Sequence, residues 1–306
     1  MDKFCVLEVG STNTKTYKFD GGEITEYPQK TIMFKSQSRQ DHLPKIAVAE
    51  LIDLINDLKK REKITAKQIF IYGTSIFRDL TPDNRREFLA MFKRKTGVTF
   101  NIATAEQESE YTVKGVIAGN DFAGRVAVMI GGGGTTEVCV VENKKIIEKH
   151  YNNFGAISVT RAFEHINDTK PDLEIEKVDK WLADQAEKID NGADILVIAG
   201  GDFIFFYESV AREKLQPNTL YADPLQPYML PIAVADAVDR HFIMDEDISF
   251  YYENYPKFSR VWWSGTRGQR FCVRAIAHKC GAKYIVPTRI NMCLGIIQEL
   301  RTGNSR

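Results

Sequence analysis

The sequence has no excess of either charge, no paired cysteine motif and no long apolar run. Its 306 residues carry a formal net charge of +0, which excludes the broad basic footprint of a nucleic-acid or membrane-surface binder. Five cysteines (Cys5, Cys139, Cys272, Cys280, Cys293) are scattered, with no CxxC among them. That pattern fits buried thiols in a reducing compartment and argues against a disulfide frame or a zinc site. His42, His150, His165, His241 and His278 show no metal-ligand spacing and read as structural or exposed. No apolar run approaches the ~20 residues of a bilayer span. Met1-Asp2-Lys3 leads straight into a strand-like segment with no leader pattern before it. The expectation is a soluble cytoplasmic protein with neither nucleic acid nor membrane as a partner.

What is present is an α/β pattern. A 43% hydrophobic content over this length suggests two domains more readily than one. The most informative stretch is the apolar run Arg125–Ile130 entering Gly131-Gly132-Gly133-Gly134-Thr135-Thr136-Glu137. A strand running into a glycine turn is a common way to bring backbone N–H groups against a phosphate. The same turn occurs earlier. Val6–Thr14 aligns without a gap on Val128–Thr136, and each copy continues into a strand, a polar turn (Asp20-Gly21-Gly22; Glu142-Asn143-Lys144) and a third strand near Ile24 or Ile146. The repeat implies two related domains facing each other with a ligand between them.

Elsewhere helices and strands alternate. Lys45–Lys63 is an amphipathic helix. Thr81-Pro82 starts a helix that Gly97 closes. Thr104 with Gln107 begins a capped helix carrying Glu106, Glu108 and Glu110. Arg260–Trp263 reads as a strand meeting the turn Ser264-Gly265. Arg267, Arg270 and Arg274 share a face of the following helix and read as solvated, with tracking of a polyanion as the sharper alternative. Arg85-Arg86 likewise reads as a solvated face.

In order along the chain, these segments resemble the exopolyphosphatase/guanosine pentaphosphate phosphatase family, within the actin-like ATPase, sugar kinase and Hsp70 superfamily. Glu8-Val9-Gly10-Ser11-Thr12-Asn13 resembles the family's first phosphate loop, DxGSNS. Tyr72–Asp79 resembles ATSALREA, Ala105–Ser109 with Gly115-Val116 resembles SGxEEA…GV, and Gly132–Glu137 resembles DxGGGSTE. Asn153–Ser158 resembles PLGAVRL, and Ile198-Ala199-Gly200-Gly201 stands at the GTxGT loop. The sequence departs at Glu8 and Ile130, where the family has aspartates, at Thr135 for a serine, and at Thr288–Gly295, where the family has a glycine-rich Arg-Glu loop.

The resemblance implies two ribonuclease H-like (actin-like ATPase) domains flanking a central cleft: residues 1–117 plus 290–306, and residues 118–289. It implies a phosphatase that hydrolyses the terminal phosphoanhydride of inorganic polyphosphate or pppGpp. Glu108 would be the base and Glu137 the second catalytic acid. Gly10, Ser11, Thr12, Asn13, Arg78, Gly132, Gly133, Gly134, Thr135, Thr136, Gly200 and Gly201 would hold phosphates. Mg²⁺ would lie on Glu8 and Glu137, weakened by Ile130. A homodimer is left open. Two other readings stand beside it: a weak or inactive polyphosphate- or nucleotide-binding regulator, and an ATP-dependent kinase of the same superfamily.

Overall fold

The computed structural model describes the chain apart from residues 1, 12, 35–41, 119, 121, 123, 169–173, 200–202, 257–259 and 303–306. The described residues form two compact units, Met1–Gly115 with Met292–Arg306, and Val116–Asn291.

The first unit opens with β1 (Lys3–Val9), β2 (Asn13–Asp20), β3 (Glu23–Glu26) and the short β4 (Lys30–Thr31). Then come α1 (Lys45–Glu62), β5 (Ile69–Gly73), α2 (Pro82–Thr96), β6 (Phe100–Ile102) and α3 (Ala105–Ile117). The sheet order is β3-β2-β1-β5-β6, with β4 on β2. β1 to β3 are antiparallel neighbours, while β5 and β6 run parallel to β1. Alternate β1 residues Cys5, Leu7 and Val9 enter a core with Leu51, Ile55 and Leu58 of α1 and Phe88 and Phe92 of α2. Period-two alternation puts Phe4, Val6 and Glu8 on the other face. The helix ends follow local chemistry. Thr81 caps α2 by accepting from Asn84 N, and Gly97 closes it at φ 75°. At α3, Thr104 N donates to Gln107 Oε1 at 3.0 Å and Gln107 N to Thr104 Oγ1 at 3.1 Å, the reciprocal capping box.

The second unit repeats the plan with β7 (Arg125–Gly131), β8 (Thr136–Glu142) and β9 (Lys145–Asn152). There follow α4 (Ala156–Ala162), α5 (Ile175–Gln185), β10 (Ile195–Ala199), α6 (Phe203–Val210), β11 (Gln216–Pro217), β12 (Tyr228–Pro231), α7 (Ile232–Met244) and α8 (Ile248–Asn254). The last elements are α9 (Arg260–Cys280), β13 (Tyr284–Pro287) and α10 (Met292–Thr302), which belongs to the first unit. The sheet reads β11-β12-β13-β10-β7-β8-β9. Its β9-β8-β7-β10-β13 part has the connectivity and strand directions of the first sheet. The repeat holds at residue level: Lys3 pairs with Asp20 and Asp20 with Glu23 in one hairpin set, Arg125 with Glu142 and Glu142 with Lys145 in the other. Both tight turns use left-handed backbone, at Gly21 and Gly22 and at Asn143 and Lys144.

The segment Arg260–Trp263 is not a strand. It is the first turn of α9, a 21-residue helix running through Gly265 and Gly268. The glycines serve packing rather than a turn: a Cβ on Gly268 would lie 2.4 Å from Ala156 O of α4.

One half-buried carboxylate ties β9 to the loop after α5. Glu148 accepts from Asp190 N at 2.8 Å, Asn191 N at 3.0 Å and Asn191 Nδ2 at 3.0 Å, and His150 Nε2 lies 2.6 Å away. Burial alone raises its pKa, but the hydrogen bonds together outweigh burial and carry it down to about 2 from an ordinary 4.5. A depressed carboxylate stabilises the fold above its unfolded pKa and loses that contribution as pH falls toward the folded one. Wild-type stability is therefore expected to fall between about pH 4.5 and 2 through this group. Glu148→Gln should cost about 2–3 kcal/mol at neutral pH and remove that acid-side slope. Urea melts at several pH values check both effects; parallel stability–pH curves for the two proteins would refute the assignment.

Candidate phosphate-binding site

In the first unit the turn after β1 closes on itself, with Gly10 N donating to Asn13 O at 2.9 Å. It is tied to the end of β5: Thr74 N donates to Val9 O at 3.1 Å, and the Ser11 and Ser75 hydroxyls are 2.8 Å apart. Ser75 sits at φ 24°, a backbone conformation that L-residues avoid and that here places its hydroxyl on the glycine turn. Arg78 follows in the same turn. Its Nη1 donates to Glu108 Oε2 at 2.9 Å and to Ala103 O at 3.1 Å. Two residues singled out separately in the sequence thus meet. Both stay reachable, with side chains 31% and 29% exposed. Glu108 stands in the first turn of α3, where the helix N-terminus favours a carboxylate. Arg85 is not merely solvated: its Nη2 donates to Arg78 O at 2.7 Å and pins the backbone that carries the guanidinium.

In the second unit Gly132 N donates to Thr135 O at 2.9 Å, the counterpart of the Gly10–Asn13 bond. Here α4 does something sequence reading misses. Ala156 N donates to Gly132 O at 3.1 Å, Ile157 N to Gly133 O at 2.7 Å, and Ser158 Oγ to Gly134 O at 3.3 Å. In a planar trans peptide the N–H points opposite to the carbonyl. With three successive carbonyls turned toward α4, the N–H groups of Gly133, Gly134 and Thr135 all point the other way. A row of N–H groups of this kind is suited to an anion. The docking needs glycine at 155, because a Cβ there would lie 2.5 Å from Gly132 O.

The remaining expected residues fall as follows. Glu137 stands on β8 opposite Ile130, and its Oε1 accepts from Thr135 Oγ1 at 2.9 Å. Thr136 is fully buried, so its hydroxyl is turned into the fold rather than toward a ligand. Thr12, Gly200 and Gly201 lie outside the described residues. Glu8, opposite Lys15 on β2, has its carboxylate 3.8 Å from Lys15 Nζ. Among the described residues no three His, Cys, Asp or Glu side chains converge as a metal cluster. Each unit offers one of the two expected carboxylates, Glu8 or Glu137. Neither set fits a resident Mg²⁺ site, which takes one or two carboxylates only when phosphate oxygens complete the shell.

The arginine face of α9 is a correction: Arg267, Arg270 and Arg274 are 0%, 1% and 8% exposed. Arg267 donates to the carbonyls of Ile166 at 3.0 Å and Asp168 at 2.8 Å, and also to that of Glu246. Arg274 pairs with Asp179 and Asp236, each at 2.9 Å. Arg267 and Arg274 hold the second unit together, and none of the three buried side chains presents a polyanion track.

The sequence model of the Ppx/GppA phosphatase family matches residues 23–201. The fold is similar to that of the Aquifex aeolicus PPX-GPPA enzyme, with a TM-score of 0.76 at 16% identity over 97% of this chain and 99% of that one. It is also similar to an exopolyphosphatase from Cytophaga hutchinsonii, with a TM-score of 0.75 at 12% identity over 99% and 98% of the two chains. The two-unit, actin-like α/β architecture is therefore shared with these proteins. No curated protein matches the chain. Among the described residues no helix is long and apolar enough to cross a membrane.

Proposed function

The chain belongs to the Ppx/GppA phosphatase family, and from that premise we propose that it hydrolyses the terminal phosphoanhydride of inorganic polyphosphate or a guanosine polyphosphate. The observation that carries the reading is the Glu108–Arg78 pair, a partly exposed carboxylate held in orientation by a cation one hydrogen bond away. Hydrolysis needs the phosphates held, their charge offset and a water aimed in line. The Gly10–Asn13 turn, tied to Ser75, supplies holding groups in the first unit, and the N–H groups of Gly133–Thr135 supply them in the second. Arg78 offers further N–H donors to phosphate oxygens beside the one on Glu108. Glu108 takes a proton from water as its oxygen bonds to the terminal phosphorus. The P–O bond to the next phosphate breaks, and orthophosphate and the shortened chain leave. Glu137, steadied by Thr135, is the second catalytic acid of this reading and lies in the second unit. Glu8 or Glu137 would hold Mg²⁺ only together with phosphate oxygens, and the ion would offset phosphate charge there.

Ile130 supports a second reading, a binder that has kept the turns and lost turnover. Its apolar side chain stands opposite Glu137, where the repeat puts Glu8 in the first unit. Incubation with long-chain polyphosphate, pppGpp and ATP, each with Mg²⁺, separates the readings. Orthophosphate release from polyphosphate or pppGpp without an acceptor is expected. Binding with no release would favour the regulator, and ATP turnover only with an added acceptor would favour a kinase.

A further inference from the structure

Arg85 occupies a place that local chemistry disfavours. It is the fourth residue of α2, close to the positive N-terminal end of the helix, where a cation is repelled rather than attracted. Among the described residues it pairs with no acid, and its Nε is buried without a hydrogen-bond partner. Arg86 beside it is the ordinary case, exposed and paired with Asp83. The one side-chain hydrogen bond of Arg85 goes from Nη2 to Arg78 O at 2.7 Å. A half-buried charge kept in an unfavourable place for a single bond points to a use for that bond.

The bond falls where the chain needs a fixed point. Arg78 closes the helical turn Ser75–Phe77, and its N–H donates to Ser75 O at 2.8 Å. The last carbonyl of such a turn has no acceptor role within it and takes a donor from outside. With the N–H held by Ser75 and the carbonyl by Arg85, the backbone of Arg78 cannot rotate. The guanidinium is thereby aimed, and its Nη1 meets both Glu108 Oε2 and Ala103 O. Rotation of that peptide would swing the guanidinium away from both. We infer that Arg85 is a positioning residue for phosphate capture, acting through the Arg78 carbonyl to set the direction of the Arg78 guanidinium. The inference rests on the hydrolase reading only in taking Arg78 as a donor to phosphate.

Titration calorimetry with metal-free tripolyphosphate tests it. Arg85→Met should weaken binding about tenfold in an otherwise native chain, and less than about twofold when Arg78→Met is already present. Once the guanidinium is gone, nothing is left to position. Arg85→Lys keeps a charged donor for what is a single bond and not a bidentate one, so it should bind within about threefold of wild type. Thermal melts check the folding of each variant. Unchanged Kd in Arg85→Met, equal losses with and without Arg78→Met, or no binding by the wild-type chain would overturn the inference. Phosphate release from polyphosphate by the wild type judges the hydrolase reading separately: binding without release leaves Arg85 its role and removes the hydrolase.

Discussion

Glu108→Gln is expected to lower the rate of phosphate release by about 10²–10⁴-fold while leaving substrate binding nearly unchanged. Glutamine keeps the side chain's shape and can still accept from Arg78 through its carbonyl oxygen, but it cannot take a proton from water. Stability should barely move. The Arg78–Glu108 pair is roughly a third exposed on both sides, and such pairs contribute about 0–1 kcal/mol. Loss of kcat at constant Kd and constant Tm would therefore locate the defect in the chemical step. Turnover within about threefold of wild type would remove Glu108 from the mechanism and leave the binder reading.

The largest expected stability effect is at Gly295. It lies in α10, and a Cβ built there would stand 1.6 Å from Tyr111 O and 2.4 Å from Tyr111 C on α3. Both obstacles are backbone, so no rotamer change relieves them and the two helices must separate. α10 also carries Met292, Cys293, Leu294, Ile296 and Ile297 into the core. Gly295→Ala should thus destabilise by about 3 kcal/mol or more, lowering Tm on the order of 10 °C. Because α3 carries Glu108, residual activity of the folded fraction should fall as well. A Tm within 2 °C of wild type, by differential scanning calorimetry, would contradict the close crossing.

Gly295 also shows where sequence reading stops: it stands in the segment that departs from the family's glycine-rich loop, and only packing shows it to be the contact point between two helices. The same holds for Gly265, which reads as a turn and is interior to α9. The three α9 arginines read as solvated because sequence spacing sees only their own helix. The groups that accept them, the carbonyls of Ile166 and Asp168 and the carboxylates of Asp179 and Asp236, are distant in sequence.

By itself the sequence determined what depends on neighbouring residues. The two hairpin sets, their tight turns, the Thr81 and Thr104 caps and the register of the internal repeat all follow from local backbone preferences and short-range hydrogen bonds. From the repeat came the match of Ile130 with Glu8. Tertiary structure decided what depends on groups brought together from afar. It set which way the peptides of Gly132–Gly134 face, because α4 supplies the donors that turn their carbonyls. It joined Arg78 to Glu108, and it set the Arg85 guanidinium on the Arg78 carbonyl. Local chemistry fixes where a turn forms; only packing fixes the direction in which its polar groups point.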